Sequence, residues 1–206
     1  MPEQSWEDAI AAATNERVRN SLAGLYSGHQ RFLKGKPQVR AYSATDLQTI
    51  ATAQQPIAAV VACSDSRVAP EILFDQPLGG IFASRVPGNV ASDSAKWMLD
   101  IAVAELKVPL VLVLGHTGCL AVGQIVEGKM GSSGGSLRFD VQMAVYRARL
   151  RGGPDLYLQS VIENVRLTVE SLRRDSFTVQ RAIERGEVGL LGGYYDMHDG
   201  QIRLIA

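Results

Sequence analysis

Four short apolar runs punctuate the chain: Ile57 to Ala62, Gly80 to Val86, Leu110 to Leu114 and Glu187 to Tyr195. Continuous apolar runs suit strands of a parallel sheet, which are covered on both faces. Between them, apolar residues return at the three- and four-residue spacing of helices. Ser94 to Leu106, Leu156 to Arg173 and Ser176 to Arg185 follow that pattern, the last closed by Gly186. Ile202 to Ile205 is expected to fold back as a hairpin strand through the turn His198-Asp199-Gly200. Ahead of the first strand, Ser5 is a candidate helix cap for Trp6, Ile10, Ala13, Val18, Leu22 and Leu25. Gly28 is expected to interrupt that helix, and a short second helix carries Arg31 to Leu33. Lys34 to Ser43 reads as an exposed connection, leading to a helix over Asp46 to Gln54 capped by Ser43 or Thr45. Strands alternating with helices predict an α/β fold, a mainly parallel central sheet flanked by helices.

Gly131 to Ser136 reads as a flexible loop. Within it Gly131-Ser132-Ser133-Gly134-Gly135 matches the hydrolase nucleophile pattern only formally, because no strand precedes it to strain the turn. There is no internal repeat and no domain boundary. The reading is one domain over 1–206, made of a helical arm (1–54) and an α/β core (55–206).

Composition removes several function classes. The 21 basic and 21 acidic residues cancel, leaving no field to draw nucleic acid or a membrane surface. No run approaches the roughly 18 apolar residues of a membrane span, and no basic segment opens a secretory signal. A cytoplasmic protein, or one in a compartment assembled there, is expected. Such a compartment disfavours a disulfide between the two cysteines. Two buried packing thiols remain the plain reading, and the sequence around each cysteine argues against it.

Cys63-Ser64-Asp65-Ser66-Arg67 follows the first predicted strand, and Gly115-His116-Thr117-Gly118-Cys119 follows the third. Ligands collect at the carboxyl ends of parallel strands, so two strands deliver Cys63, His116 and Cys119 to one place. Thiolate and imidazole favour zinc over magnesium or calcium. Three ligands without a fourth match a catalytic zinc, which keeps one position for water. If residues 63–67 stay extended, Cys63, Asp65 and Arg67 share a face. Asp65 is then placed to accept a hydrogen bond from that water, with Arg67 holding the carboxylate by a bidentate pair.

These two motifs resemble those of the β-class carbonic anhydrases. The likeness extends over 68–76 and 82–89, into Tyr195-Asp196 and Gly200, and includes Gly28-His29-Gln30-Arg31-Phe32. The resemblance implies zinc-dependent, reversible hydration of carbon dioxide to bicarbonate and a proton. It implies Cys63, His116 and Cys119 as zinc ligands, Asp65 and Arg67 as catalytic dyad, and Gln54 and Phe82 as substrate-binding residues. It also implies N-terminal helices packed on a partner subunit, in a homodimer or dimer of dimers. Arg85 and Tyr195 match positions that help bind an inhibitory bicarbonate in a second subtype. That subtype has tryptophan at the place of Gln54, so this chain resembles the constitutively open one. Carbon dioxide is expected in an apolar slot near Phe82 and Ile101, with His29 and His198 as candidates for proton exit.

Three departures stand out. Leu120 replaces a usual glycine and is expected to shift the helix start beside the metal, Ile101 replaces a common tyrosine, and Pro87 sits near the pocket rim. They motivate a second reading, a catalytically degenerate homolog with a structural or bicarbonate-binding role. A carbon disulfide or carbonyl sulfide hydrolase would use the same ligand set.

Overall fold

The computed structural model describes residues 4–129 and 133–205. Two strands form its centre, β1 (Ala58–Ala62) and β3 (Leu110–His116), and every residue of both is buried. They run parallel, with Ala59 beside Val111 and Ala62 beside Leu114. β2 (Ile81–Arg85) joins β1 on one side, and β4 (Gly189–Tyr195) joins β3 on the other, both parallel. β5 (Ile202–Leu204) returns antiparallel to β4, giving the order β2-β1-β3-β4-β5 among the described residues.

Strand alternation divides the core in two. Ala59, Val61, Val111 and Val113 face one side, packed with α5 (Asp93–Ala104), α8 (Leu156–Asp175) and α9 (Phe177–Glu184). Ala58, Val60, Leu110 and Leu112 face the other, under α1 (Trp6–Ala12), α2 (Glu16–Leu33) and the single turn α4 (Pro70–Leu73). Central strands buried on both faces therefore read as unbroken apolar runs.

The N-terminal region departs from the expected pattern. One helix from Trp6 to Leu25 is instead two, because Asn15 turns its side chain onto the N–H groups of Arg17 and Val18 and starts α2 afresh. Gly28 does not interrupt α2. A Cβ built there would stand 1.8 Å from the Phe74 carbonyl oxygen, so glycine admits α4 against the helix. Gly28→Ala is expected to cost about 3 kcal/mol by overpacking. Urea unfolding measures it, and a parental midpoint would disprove the close approach. α1 and α2 cover this chain's own sheet, Trp6 Nε1 donating to Ile202 O at 2.9 Å. α3 (Ala44–Thr52), capped by Ser43, has no buried residue. The connection before it is tied down by Asp75, whose buried carboxylate takes Arg31 at 2.5 Å and Arg40 at 2.7 Å.

Two helices lie where no periodicity was evident, α6 (Leu120–Val126) and α7 (Gly135–Arg151). α7 begins inside the stretch expected to be a loop, at Gly135; residues 131 and 132 of that stretch lie outside the described ones. Its outer face carries Phe139, Tyr146 and Leu150, all exposed, opposite buried Val141, Ala144, Val145 and Ala148. Apolar residues on both faces erase the one-sided stripe that marks a helix. No described helix is long and apolar enough to cross a membrane.

Candidate metal centre

β1 and β3 are parallel neighbours, so both end on the same side of the sheet. Cys63 is the first residue beyond β1 and His116 the last of β3. Gly118 then reverses the chain with φ of +72°, a conformation that suits glycine. The reversal brings Cys119 back as the cap of α6. The donor atoms of Cys63, His116 and Cys119 all lie within 4.8 Å of one another, and all three residues are buried. The two sulfurs are 4.0 Å apart.

The surroundings suit a thiolate-binding cation. The contact with Cys119 pulls the Cys63 thiol down against its burial, and the N–H groups of Asp65 and Gly88 act in the same direction. The Cys119 thiol is pushed up, first by its contact with Cys63 and then by burial, although the N–H groups of Val122 and Ala121 favour its thiolate. A divalent cation resolves that conflict, since it lets both sulfurs ionise. His116 completes the set. Its Nδ1 lies 2.8 Å from the Thr117 carbonyl oxygen, which only accepts, so Nδ1 carries the proton. Nε2 is then a buried lone pair without a protein partner. Two sulfurs and one imidazole are a zinc donor set.

Asp65 and Arg67 stand beside the cluster as a pair. Arg67 Nε donates to Oδ1 at 2.9 Å and an Nη to Oδ2 at 2.8 Å. The expected cause was an extended segment; the observed one is a turn. Arg67 N–H closes on Asp65 Oδ1 at 3.0 Å and Val68 N–H on Asp65 O at 3.0 Å. Asp65 is not one of the converging donors, its carboxylate being held by Arg67. That guanidinium keeps the carboxyl well below its usual range. Arg67 also donates to Gly118 O at 3.1 Å, joining the two ligand loops.

Two clamps support the ligand loops; the resemblance names Arg85 only as a bicarbonate-subtype position, and Tyr157 is not among its residues. Arg85, on edge strand β2, donates to Cys63 O at 3.1 Å and Asp65 O at 2.5 Å. Tyr157, on α8, donates to Cys119 O at 2.9 Å, and burial pushes its phenol up to about 12. Its only sequence signal was a lone tyrosine in the first turn of a helix. Leu120 disturbs nothing: α6 starts there without positive φ, and the side chain is 74% exposed. Leucine therefore brings no backbone strain to this helix start.

The chain does not bring Gln54 and Phe82 to its own cluster. Gln54 adjoins Gly79, just before β2 begins. Phe82 pairs with Ala59 near the start of the strands. It stands four residues before Val86, whose carbonyl meets Ser64 N–H, or about 13 Å back along the strand. His29 is no proton outlet; it is buried between α2 and α4, with Nδ1 2.9 Å from Leu73 O. His198 is exposed in the β4–β5 turn.

Comparison with known proteins agrees with this architecture. The carbonic anhydrase family model matches residues 58–202, which include every residue of the cluster and the Asp65–Arg67 pair. The chain belongs to the carbonic anhydrase family. It is 35% identical to carbonic anhydrase 2 of Mycobacterium tuberculosis over 182 residues, 86% of this chain and 87% of that protein. It is 31% identical to a carbonic anhydrase of Pseudomonas aeruginosa, over 75% of this chain and 76% of the relative. Among solved structures, the Coccomyxa β-carbonic anhydrase bound to acetazolamide superposes with a TM-score of 0.66 at 28% identity, covering 79% and 78% of the two chains. A tetrameric β-carbonic anhydrase of Sordaria macrospora shares the fold, with TM-score 0.70, 22% identity and coverage of 91% and 92%. The β-class assignment expected from the two motifs therefore stands.

Proposed function

We propose that this carbonic anhydrase homolog hydrates carbon dioxide reversibly to bicarbonate and a proton, with zinc held by Cys63, His116 and Cys119. The observation that carries this reading is the convergence of those three buried donors beside a carboxylate already engaged by arginine. When bound, zinc supplies the Lewis acidity that makes water a strong nucleophile near neutral pH.

This chain's residues do the rest. Asp65 stays ionised through the working range and accepts the hydrogen bond of the attacking water, orienting its lone pair. Arg67 occupies both oxygens of Asp65, which keeps the carboxylate from turning onto the metal. The Arg85 and Tyr157 clamps hold the backbone of Cys63, Asp65 and Cys119, so the site is organised before substrate arrives.

A homo-oligomer completes the site in this reading. Gln54 and Phe82 meet substrate across a subunit boundary, since their own cluster is out of reach. The exposed α3, with Leu47 and Ile50 outward, supplies contact surface, and a tetrameric relative supports assembly.

Two thiolate donors make the site formally neutral, so water activated there is less acidic than at a site of three imidazoles. Asp65 adds no inflection near neutrality: its folded pKa is depressed, so it loses charge only under strong acid. Turnover is expected to climb from pH 7 into the alkaline range, by up to about tenfold per unit. Stopped-flow carbon dioxide hydration from pH 6 to 9, with zinc quantified on the same sample, tests both statements. A flat profile refutes the neutral-site argument, and zinc-loaded protein without hydration refutes the function.

A further inference from the structure

We infer that Asp196, acting through Thr117, is a positioning residue that fixes the His116 ring for metal binding. The inference rests on the zinc reading above and extends it to the β4–β5 turn.

The link is a short chain of hydrogen bonds. The ring of His116 leans on the carbonyl of Thr117, at 2.8 Å. The residue carrying that carbonyl is held from the neighbouring strand and the turn after it. Thr117 N–H donates to Tyr195 O at 3.0 Å, and Thr117 Oγ1 accepts from Met197 N–H at 2.9 Å. The hydroxyl faces Asp196 Oδ1 at 3.4 Å. Asp196 shapes the turn that presents Met197, because the same Oδ1 accepts His198 N–H at 3.0 Å. Its Oδ2 takes Arg203 at 3.1 Å, and Arg203 is steadied by Asp199 at 2.5 Å.

The hairpin does not need the carboxylate to close. β4 and β5 pair through Gly193–Leu204, Tyr194–Arg203 and Tyr195–Ile202. The backbone of Asp196 adds bonds to Gln201 O and from Gly200 N–H, each 2.8 Å. The side chain thus serves the neighbouring loop as well as the turn. Outer partners that fix a metal-binding histidine carry about 10–100-fold in metal affinity; here that partner is the Thr117 carbonyl, and Asp196 and the Thr117 hydroxyl act on the residue that presents it.

Zinc dissociation constants from chelator competition test the inference, together with ¹⁵N shifts of His116 in zinc-free protein. Thr117→Val removes the hydroxyl at nearly constant shape while keeping the carbonyl, and is expected to weaken zinc binding about tenfold, the low end of the range for an outer partner. Asp196→Asn is expected to weaken it and to broaden or shift the His116 Nδ1 resonance. Thr117→Ser, which keeps the hydroxyl, is expected to stay within about threefold of the parent, well below the effect of losing an outer partner. Parental affinity in both Thr117→Val and Asp196→Asn overturns the inference, and so does equal weakening in Thr117→Val and Thr117→Ser. If Thr117→Val does not fold, Asp196→Asn decides alone. A parent protein that binds no zinc overturns the zinc reading itself, a result distinct from parity among variants.

Discussion

Cys63→Ser and Cys119→Ser are each expected to empty the site of zinc and abolish hydration. Zinc content measured on purified protein falls from about one per chain to near none, because serine must ionise at a far higher pKa than cysteine to bind a cation. The loss of affinity exceeds the roughly 10–100-fold that outer partners carry, since a direct donor is removed. The alternative, that two thiols merely fill core space, makes a different prediction. Both residues are buried in the apolar cluster under α5 and α8, so a serine hydroxyl there costs about 1–3 kcal/mol. That cost lowers the unfolding midpoint and leaves zinc content unchanged. Metal analysis beside thermal unfolding separates the two, and zinc retained at parental stoichiometry in either variant ends the ligand assignment.

The second large effect concerns the pair beside the cluster. Asp65→Asn is expected to lower turnover about 100- to 10,000-fold, the usual weight of a positioned acid–base group, with zinc content unchanged. Arg67→Gln is expected to act in the same direction for another reason. The Asp65 side chain is only 9% exposed while that of Arg67 is 56% exposed. Removing the guanidinium leaves a nearly buried carboxylate whose best remaining partner is the cation, and a carboxylate on the metal blocks water. Zinc affinity in Arg67→Gln should therefore hold or rise while turnover falls, a separation that simple unfolding cannot produce. Arg67→Lys is not conservative here, because one ammonium cannot reproduce the two parallel bonds at 2.9 and 2.8 Å. Turnover within threefold of the parent in Asp65→Asn would remove Asp65 from the mechanism.

The departures at Leu120 and Ile101 weigh less than their positions suggest. A glycine usual beside a metal ligand implies a special backbone, but α6 begins at Leu120 in ordinary conformation with its side chain outward. No structural reason remains to expect recovery of activity in Leu120→Gly. Such a change would instead remove a good helix former from the first turn, at up to about 1 kcal/mol.

Much of the molecule was legible along the chain. β1 and β3 announced themselves because a strand covered on both faces has no polar side to interrupt the pattern. Cys63, His116 and Cys119 followed, since parallel strands end together and their first loop residues are neighbours. The Asp65–Arg67 pair was anticipated for the wrong reason; the turn at Ser66 and Arg67, not alternation, brings the groups together. α7 escaped because it is apolar on opposite faces, and Gly28 was misread because its value lies in a contact with Phe74, forty-six residues away in sequence.

By itself, then, the order of residues determined the α/β class, the strand tips and the identity of the donors. Those depend on local pattern and on the chemistry of single side chains. Only the tertiary structure decided how the donors are held: Arg85 from the sheet edge, Tyr157 from α8, and Thr117 locked to the β4–β5 turn. These supports join residues far apart in the chain through one or a few hydrogen bonds each. No spacing encodes such bonds, because their geometry exists only after strands and helices have packed.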